Sequence, residues 1–317
     1  MRNGASALFA VLLAAAGLSG AAYPAGPAQT TVAKPAQTFA TAAEAAAALV
    51  DALRGEKLDA IESVLGPGSA KLVSSGDKVS DAAERKRFST AYDEQHDLVP
   101  DGPDRMTLQV GKDKWPLPIP LVQANGRWYF DSEAGAQEII NRRIGRNEIA
   151  AIRTALAYVD AQKEFYAMTG ENGTAQYAQR LVSTPGKHDG LYWVAAEGEG
   201  ESPLAPLVAQ AREEGYPGAN VSGKPQPYHG YYFRILTAQG ADTPEGAINY
   251  VKDGMMTGGF GLIASPATYG ASGIMTFIVN QNGIVYQKDL GPQTVSIVAA
   301  TKLFDPDLTW ARVEIVD

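Results

Sequence analysis

The chain contains no cysteine, which excludes disulfides, a cysteine-ligated metal and the lipid-modified cysteine of a bacterial lipoprotein. It has three histidines, His96, His188 and His229, far apart in sequence. None has a second ligand three or four residues along a helix, as a H-E-x-x-H site requires. Basic residues are outnumbered, Lys+Arg 27 against Asp+Glu 35, and they form no long cluster. A net charge of −8 argues against nucleic acid and anionic lipid surfaces as partners, because both reward positive patches. The apolar run Ala7–Leu18 is shorter than the roughly 20 residues a bilayer-spanning helix needs.

That run follows Arg2 and precedes the small residues Ser19, Gly20, Ala21 and Ala22, the order of a secretory signal peptide. Residues 1–22 are therefore expected to be a cleaved signal, leaving a periplasmic or secreted protein with no membrane anchor. Pro24, Pro27 and Pro35 among Ala, Gly and Thr predict a disordered linker over 23–38. A protein sent to an oxidising compartment without disulfides must be held by its core, and the remaining length suffices for two domains.

The first predicted domain covers 39–145. Thr41 followed three residues later by Glu44 is a capping box, and Leu49, Val50 and Leu53 continue one helical face until Gly55. A second helix carries Leu58, Ile61 and Leu65 and stops at Gly66-Pro67-Gly68; a third is expected from Ser80 to about His96. The period then changes to two over Met106–Val110. Asn125-Gly126 joins Pro120-Leu121-Val122 to Trp128-Tyr129-Phe130, a strong hairpin signal.

The second predicted domain covers 146–317. Helical signals run nearly without interruption from Ser132 to Met168, with Gly145 as the expected bend and domain boundary. Strands are expected at Leu191–Ala195, Tyr231–Thr237, Phe260–Ala264 and Gly273–Val279, the last turning at Asn282-Gly283 into Ile284–Lys288. The fold class is α+β, with helices and antiparallel sheet in both halves.

Three resemblances bear on this organisation. Helices followed by strands and ending in "QANGRWYFDS" resemble the cone-shaped domains similar to nuclear transport factor 2. The stretch "NEIAAIRTALAYVDAQKEFYAMTGENGTAQYAQRL", followed by "GYYFRIL" and "GIMTFIVNQNGIVYQKDLG", resembles the globular part of type IV pilins and type II secretion pseudopilins. Arg142, Arg143, Arg146 and Glu148 replace the apolar half with which a pilin helix enters the membrane, so this likeness does not imply a filament. Tyr269-Gly270, Thr276-Phe277 and Tyr286-Gln287-Lys288-Asp289-Leu290-Gly291 resemble an exported bacterial family grouped as domain of unknown function 2950. That likeness implies a fold and a compartment, and no activity.

Candidate sites are few. Tyr228, His229, Tyr231 and Arg234 in "PYHGYYFR" can line a small-molecule groove, or alternate as core and sheet face. Asp305 and Asp307 in "DPDLTW" are similar to the acidic ending that helps bind calcium in pseudopilins, although Pro306 departs from it and calcium wants about six hard oxygens. Calcium is the one cofactor to consider. Ser272 lacks the strand-turn-helix setting of a nucleophile elbow and reads as a turn residue. Gly254–Gly261 lacks the ending of a phosphate loop, so close packing is expected there. Glu197, Glu199 and Glu201 read as a solvated loop.

These observations lead to a non-enzymatic binding or envelope-associated module as the expected role. The alternatives are an accessory protein of a pilus or type II secretion system, and a hydrolase using an N-terminal cavity with Asp51, Glu62 or Asp131 as its acids.

Overall fold

The computed structural model describes residues 36–171, 173–217 and 225–314; the expected signal peptide and most of the expected linker lie outside them. Helices and antiparallel sheets make up an α+β fold. Residues 36–38, expected to belong to the linker, already lie against the body. Gln37 N–H donates to Ser63 O at 2.9 Å and the Arg127 guanidinium to Thr38 O at 2.7 Å.

Helix α1 (Ala42–Arg54) starts at Thr41, whose hydroxyl accepts from Glu44 N–H at 3.1 Å. The Glu44 carboxylate reaches back to Ala40 N–H at 3.0 Å, one residue before the cap. Helices α2 (Leu58–Leu65) and α3 (Ala70–Val73) follow. Helix α4 spans Lys78–Glu94 rather than Ser80–His96. Asp77 sets its start by accepting from Val79 and Ser80 N–H, each at 3.1 Å. Its end falls earlier because His96 opens a strand.

That strand is β1 (His96–Pro100), paired antiparallel with β2 (Arg105–Val110); β3 (Trp115–Pro116) also pairs with β2. β4 (Leu121–Ala124) and β5 (Arg127–Phe130) complete the sheet in the order β1-β2-β4-β5. Asn125 and Gly126 turn the last hairpin at φ 50° and 72°, the left-handed pair that a two-residue hairpin loop demands. The helices cover this sheet around a core that includes Leu49, Ile61, Leu108, Ile119, Leu121 and Phe130.

Helix α5 spans Ser132–Glu171 and runs through Gly145 without interruption. Its first half gives Ile140 and Ile144 to the first core, and its second half gives Ala155, Tyr158 and Phe165 to another. Helix α6 (Ala205–Glu213), strand β6 (Tyr231–Leu236) and four two-residue strands, β7 (Ala238–Gln239), β8 (Ile248–Asn249), β9 (Val251–Lys252) and β10 (Met255–Met256), come next. Leu191–Ala195 forms no named strand; a single parallel bridge joins Tyr192 to Val182. Burial holds this stretch in place, since Leu191, Tyr192 and Trp193 all point inward.

Strands β11 (Gly261–Pro266), β12 (Met275–Asn280) and β13 (Tyr286–Asp289), helix α7 (Thr294–Ala300) and strand β14 (Ala311–Arg312) end the fold. The sheet order is β14-β13-β12-β11-β6, antiparallel throughout. Alternation sends Leu262, Ala264, Phe277 and Val279 into the core shared with α5. Ile263 and Ile278 point the other way, into a small cluster with Leu236, Phe304 and Val298 of α7.

Candidate functional site

The strand period divides the predicted quartet of Tyr228, His229, Tyr231 and Arg234. Tyr231 is fully buried, and its hydroxyl donates to Met275 O at 2.9 Å. Arg234 faces the opposite side of the sheet, where its guanidinium donates to Val298 O at 2.8 Å and Thr301 O at 2.7 Å, closing the C-terminal end of α7. His229 sits at φ 47° with Nε2 3.0 Å from Glu214 Oε2. Tyr228, of the four, lines the C-terminal cavity described below. Burial, with the Glu214 charge second, pushes its hydroxyl up to about 12.

The other sequence candidates serve local structure. Asp305 accepts from Asp242 N–H at 2.9 Å, and Asp307 from Thr309 N–H at 2.8 Å. Bonds from Thr309 hold the Asp307 carboxyl below the usual carboxylate range. Among the described residues no group of three or more His, Cys, Asp or Glu side chains is placed to hold a metal ion. The His96 ring stacks on Tyr92, and His188 stacks on Trp193 while pairing with Glu199. Ser272 closes a turn, its hydroxyl accepting from Thr268 N–H at 2.9 Å and donating to Thr268 O at 3.2 Å. In the Gly-rich segment, a Cβ on Gly259 would meet the Tyr250 ring at 2.8 Å, so close packing explains that glycine.

Two cavities remain. The C-terminal one, about 490 Å³, is walled by Tyr158, Tyr192, Tyr216, Tyr228, Tyr232 and Phe233, with Pro217 and Pro225 at its border. Several of its hydroxyls are committed elsewhere. Tyr158 donates to Gly261 O at 3.0 Å, Tyr216 donates to Asp77 at 2.8 Å, and Tyr192 accepts from Arg212 at 2.9 Å. The wall therefore offers aromatic faces more than hydrogen-bonding groups.

The N-terminal cavity, about 570 Å³, lies between α1, α4, α5 and the first sheet. Its buried wall is apolar and includes Leu49, Leu53, Leu72, Leu117 and Ile119. Cations stand around the rest: Arg85, Arg87, Lys112, Arg142, Arg143 and Arg146, against the four acids Asp81, Glu84, Glu94 and Asp113. Asp51, Glu62 and Asp131, the acids singled out in the sequence, do not line it; Asp51 pairs with Arg54, and Asp131 accepts from Ala134 N–H at 3.2 Å.

Of the four acids that line it, Asp81 is the buried one, 7% exposed and held above the usual carboxylate range by burial. Both its oxygens accept from Ser75 N–H, at 3.0 and 3.1 Å, and Oδ1 also accepts from the Ser75 hydroxyl at 2.7 Å. These bonds brace the loop before α4. Sequence reasoning missed the residues that distinguish this cavity, Arg85 and Arg143. A basic residue on a polar helix reads as solvated until the opposing element is known, although the run Arg142, Arg143, Arg146 on a helix with Ile140 and Ile144 was a usable signal.

The chain matches, over residues 36–313, the family described as "Protein of unknown function (DUF2950)". No curated protein and no solved structure matches it.

Proposed function

This chain belongs to the DUF2950 family, and we propose that it is an exported, non-enzymatic binding module of the cell envelope whose N-terminal cavity holds a small, largely apolar molecule. The observation that carries this reading is the cavity itself. At about 570 Å³ it falls in the size range of small-molecule sites, with a leucine-rich wall and a few polar groups. The signal-peptide pattern of residues 1–22 supports export. Helices α1, α4 and α5 against an antiparallel sheet, with a cavity between, support the likeness to cone-shaped domains of the nuclear transport factor 2 type. Binding is favoured over hydrolysis because Asp81, the buried acid of the wall, already accepts three hydrogen bonds from Ser75. The pilin-like reading rests on α5 packed against an antiparallel sheet. The large exposed apolar side chains on that helix, Ile149 and Tyr166, stand about 25 Å apart along its axis, too far to form a docking strip.

The neutral apolar fluorophore N-phenyl-1-naphthylamine tests the site in the full chain. Its emission should rise with one saturable site. Val73→Phe, which fills the N-terminal cavity, should weaken binding at least tenfold, and Val208→Phe, which fills the C-terminal one, should leave it unchanged. The opposite pattern, or no binding, would overturn the assignment.

A further inference from the structure

Resting on the reading of the N-terminal cavity as a binding site, we infer that its ligand is an amphipathic anion, a single apolar chain ending in a carboxylate that is received by Arg85 and Arg143. In a chain of net charge −8, the cavity is lined by six cationic side chains and four acidic ones. The distribution of partners matters more than the count. Arg87 and Arg146 both pair with Glu84, and Arg142 pairs with Glu138 while its guanidinium lies 5.3 Å from the centre of the Trp115 ring. Asp81 is occupied by Ser75.

Arg85 and Arg143 have no carboxylate within ion-pair distance among the described residues. Their hydrogen bonds among the described residues go to the carbonyls of α3. Arg143, 8% exposed, donates to Lys71 O at 3.0 Å and to Leu72 O. Arg85 donates to Val73 O at a long 3.3 Å, and its Nε is buried with no partner.

A buried cation hydrogen-bonded only to carbonyls, next to a buried donor with nothing to bond, is an incomplete arrangement. Burial lowers the affinity of the Arg143 guanidinium for its proton, with only the through-space pull of Asp81 and Glu84 opposing. Such groups cost free energy unless an acceptor arrives. An anionic oxygen entering the cavity supplies that acceptor to Arg85 Nε and a counter-charge to Arg143, and the shape of the guanidinium suits a carboxylate. The apolar tail of the same molecule would then lie against Leu49, Leu53 and Leu117. A wholly apolar ligand would leave the two guanidiniums without an acceptor, and a wholly polar one would leave the leucine wall uncovered.

Decanoate and decanol, equal in chain length and different in charge, test this in the full chain by isothermal titration calorimetry at neutral pH. Decanoate should bind at least tenfold more tightly than decanol, since a hydrogen bond to a charged group contributes more than a neutral one. Arg85→Gln should weaken decanoate severalfold while leaving decanol unchanged, and Arg85→Lys should give a smaller loss; a decanoate affinity untouched by Arg85→Gln would overturn the inference. The comparison of the two ligands on the unmodified chain stands even where a variant fails to fold. Decanol binding as tightly as decanoate would overturn the anion inference and leave the apolar cavity standing. Failure of both to bind would remove the cavity reading on which it rests.

Discussion

At the residue scale, the Asp77 side chain, 1% exposed, ties distant segments together. One oxygen caps α4 through Val79 and Ser80 N–H; the other accepts from the Tyr216 hydroxyl at 2.8 Å and Gly230 N–H at 2.9 Å. Asp77→Ala should therefore lose the cap, about 1 kcal/mol, and leave buried donors unpaired, each costing about 1–3 kcal/mol. The expected destabilisation is about 3 kcal/mol or more, read from urea unfolding. Tyr216→Phe keeps the cap and orphans His229 N–H, which donates to the Tyr216 oxygen at 3.0 Å, so it should cost about 1–2 kcal/mol. A loss for Asp77→Ala no larger than that of an ordinary cap would show that the distant bonds contribute nothing. The two caps also mark the limit of sequence reading. Thr41 was legible because its partner Glu44 is three residues away. Asp77 was passed over in favour of Ser80, and its further partners lie 139 and 153 positions along the chain.

At the element scale, α5 shows how one helix treats two glycines differently. A Cβ on Gly145 would meet nothing within 4 Å, whereas one on Gly135 would meet Pro118 O at 2.5 Å and Ile119 Cα at 2.6 Å. Glycine inside a helix costs roughly 0.5–1 kcal/mol relative to alanine. Gly145→Ala should therefore raise the unfolding free energy read from urea by about that amount, and Gly135→Ala should lower it through forced separation of the helix from the segment before β4. Equal effects of the two substitutions would contradict this packing. A bend at Gly145 was a reasonable expectation from propensity, yet propensity is weak against packing. Ile140 and Ile144 before it and Ala151 and Ala155 after it are all buried, so both flanks are held. The converse occurs at Leu191–Ala195, where strand-forming residues extend no sheet: Leu191 and Tyr192 N–H donate to Arg180 O and Leu181 O, and the burial of Leu191, Tyr192 and Trp193 holds the stretch.

At the scale of the whole molecule, two hydrophobic cores share one helix, and polar bonds cross between the segments that build them. The Glu148 carboxylate accepts from Ile274 and Met275 N–H, both at 3.0 Å, and the Asn147 amide donates to Ser272 O at 2.8 Å. Asp77 adds its bonds to Tyr216 and Gly230. Unfolding either core exposes these buried partners and unravels part of α5, so scanning calorimetry should show one cooperative transition with calorimetric and van't Hoff enthalpies in agreement. Two resolved transitions would mean that the cores are energetically separate. The sequence by itself determined the α+β class, the capped start of α1, the hairpins at Asn125-Gly126 and Asn282-Gly283 and the helical run that became α5. Each of these depends on residues within a turn or two of one another. Only the tertiary structure decided that Tyr231 and Arg234 belong to opposite faces of a sheet, that Asp51, Glu62 and Asp131 stand outside the cavity, and that Arg85 and Arg143 line it with no ion-pair partner among the described residues. Whether a charge is solvated, paired or stranded depends on which distant segment packs over it, and no local pattern of residue types records that.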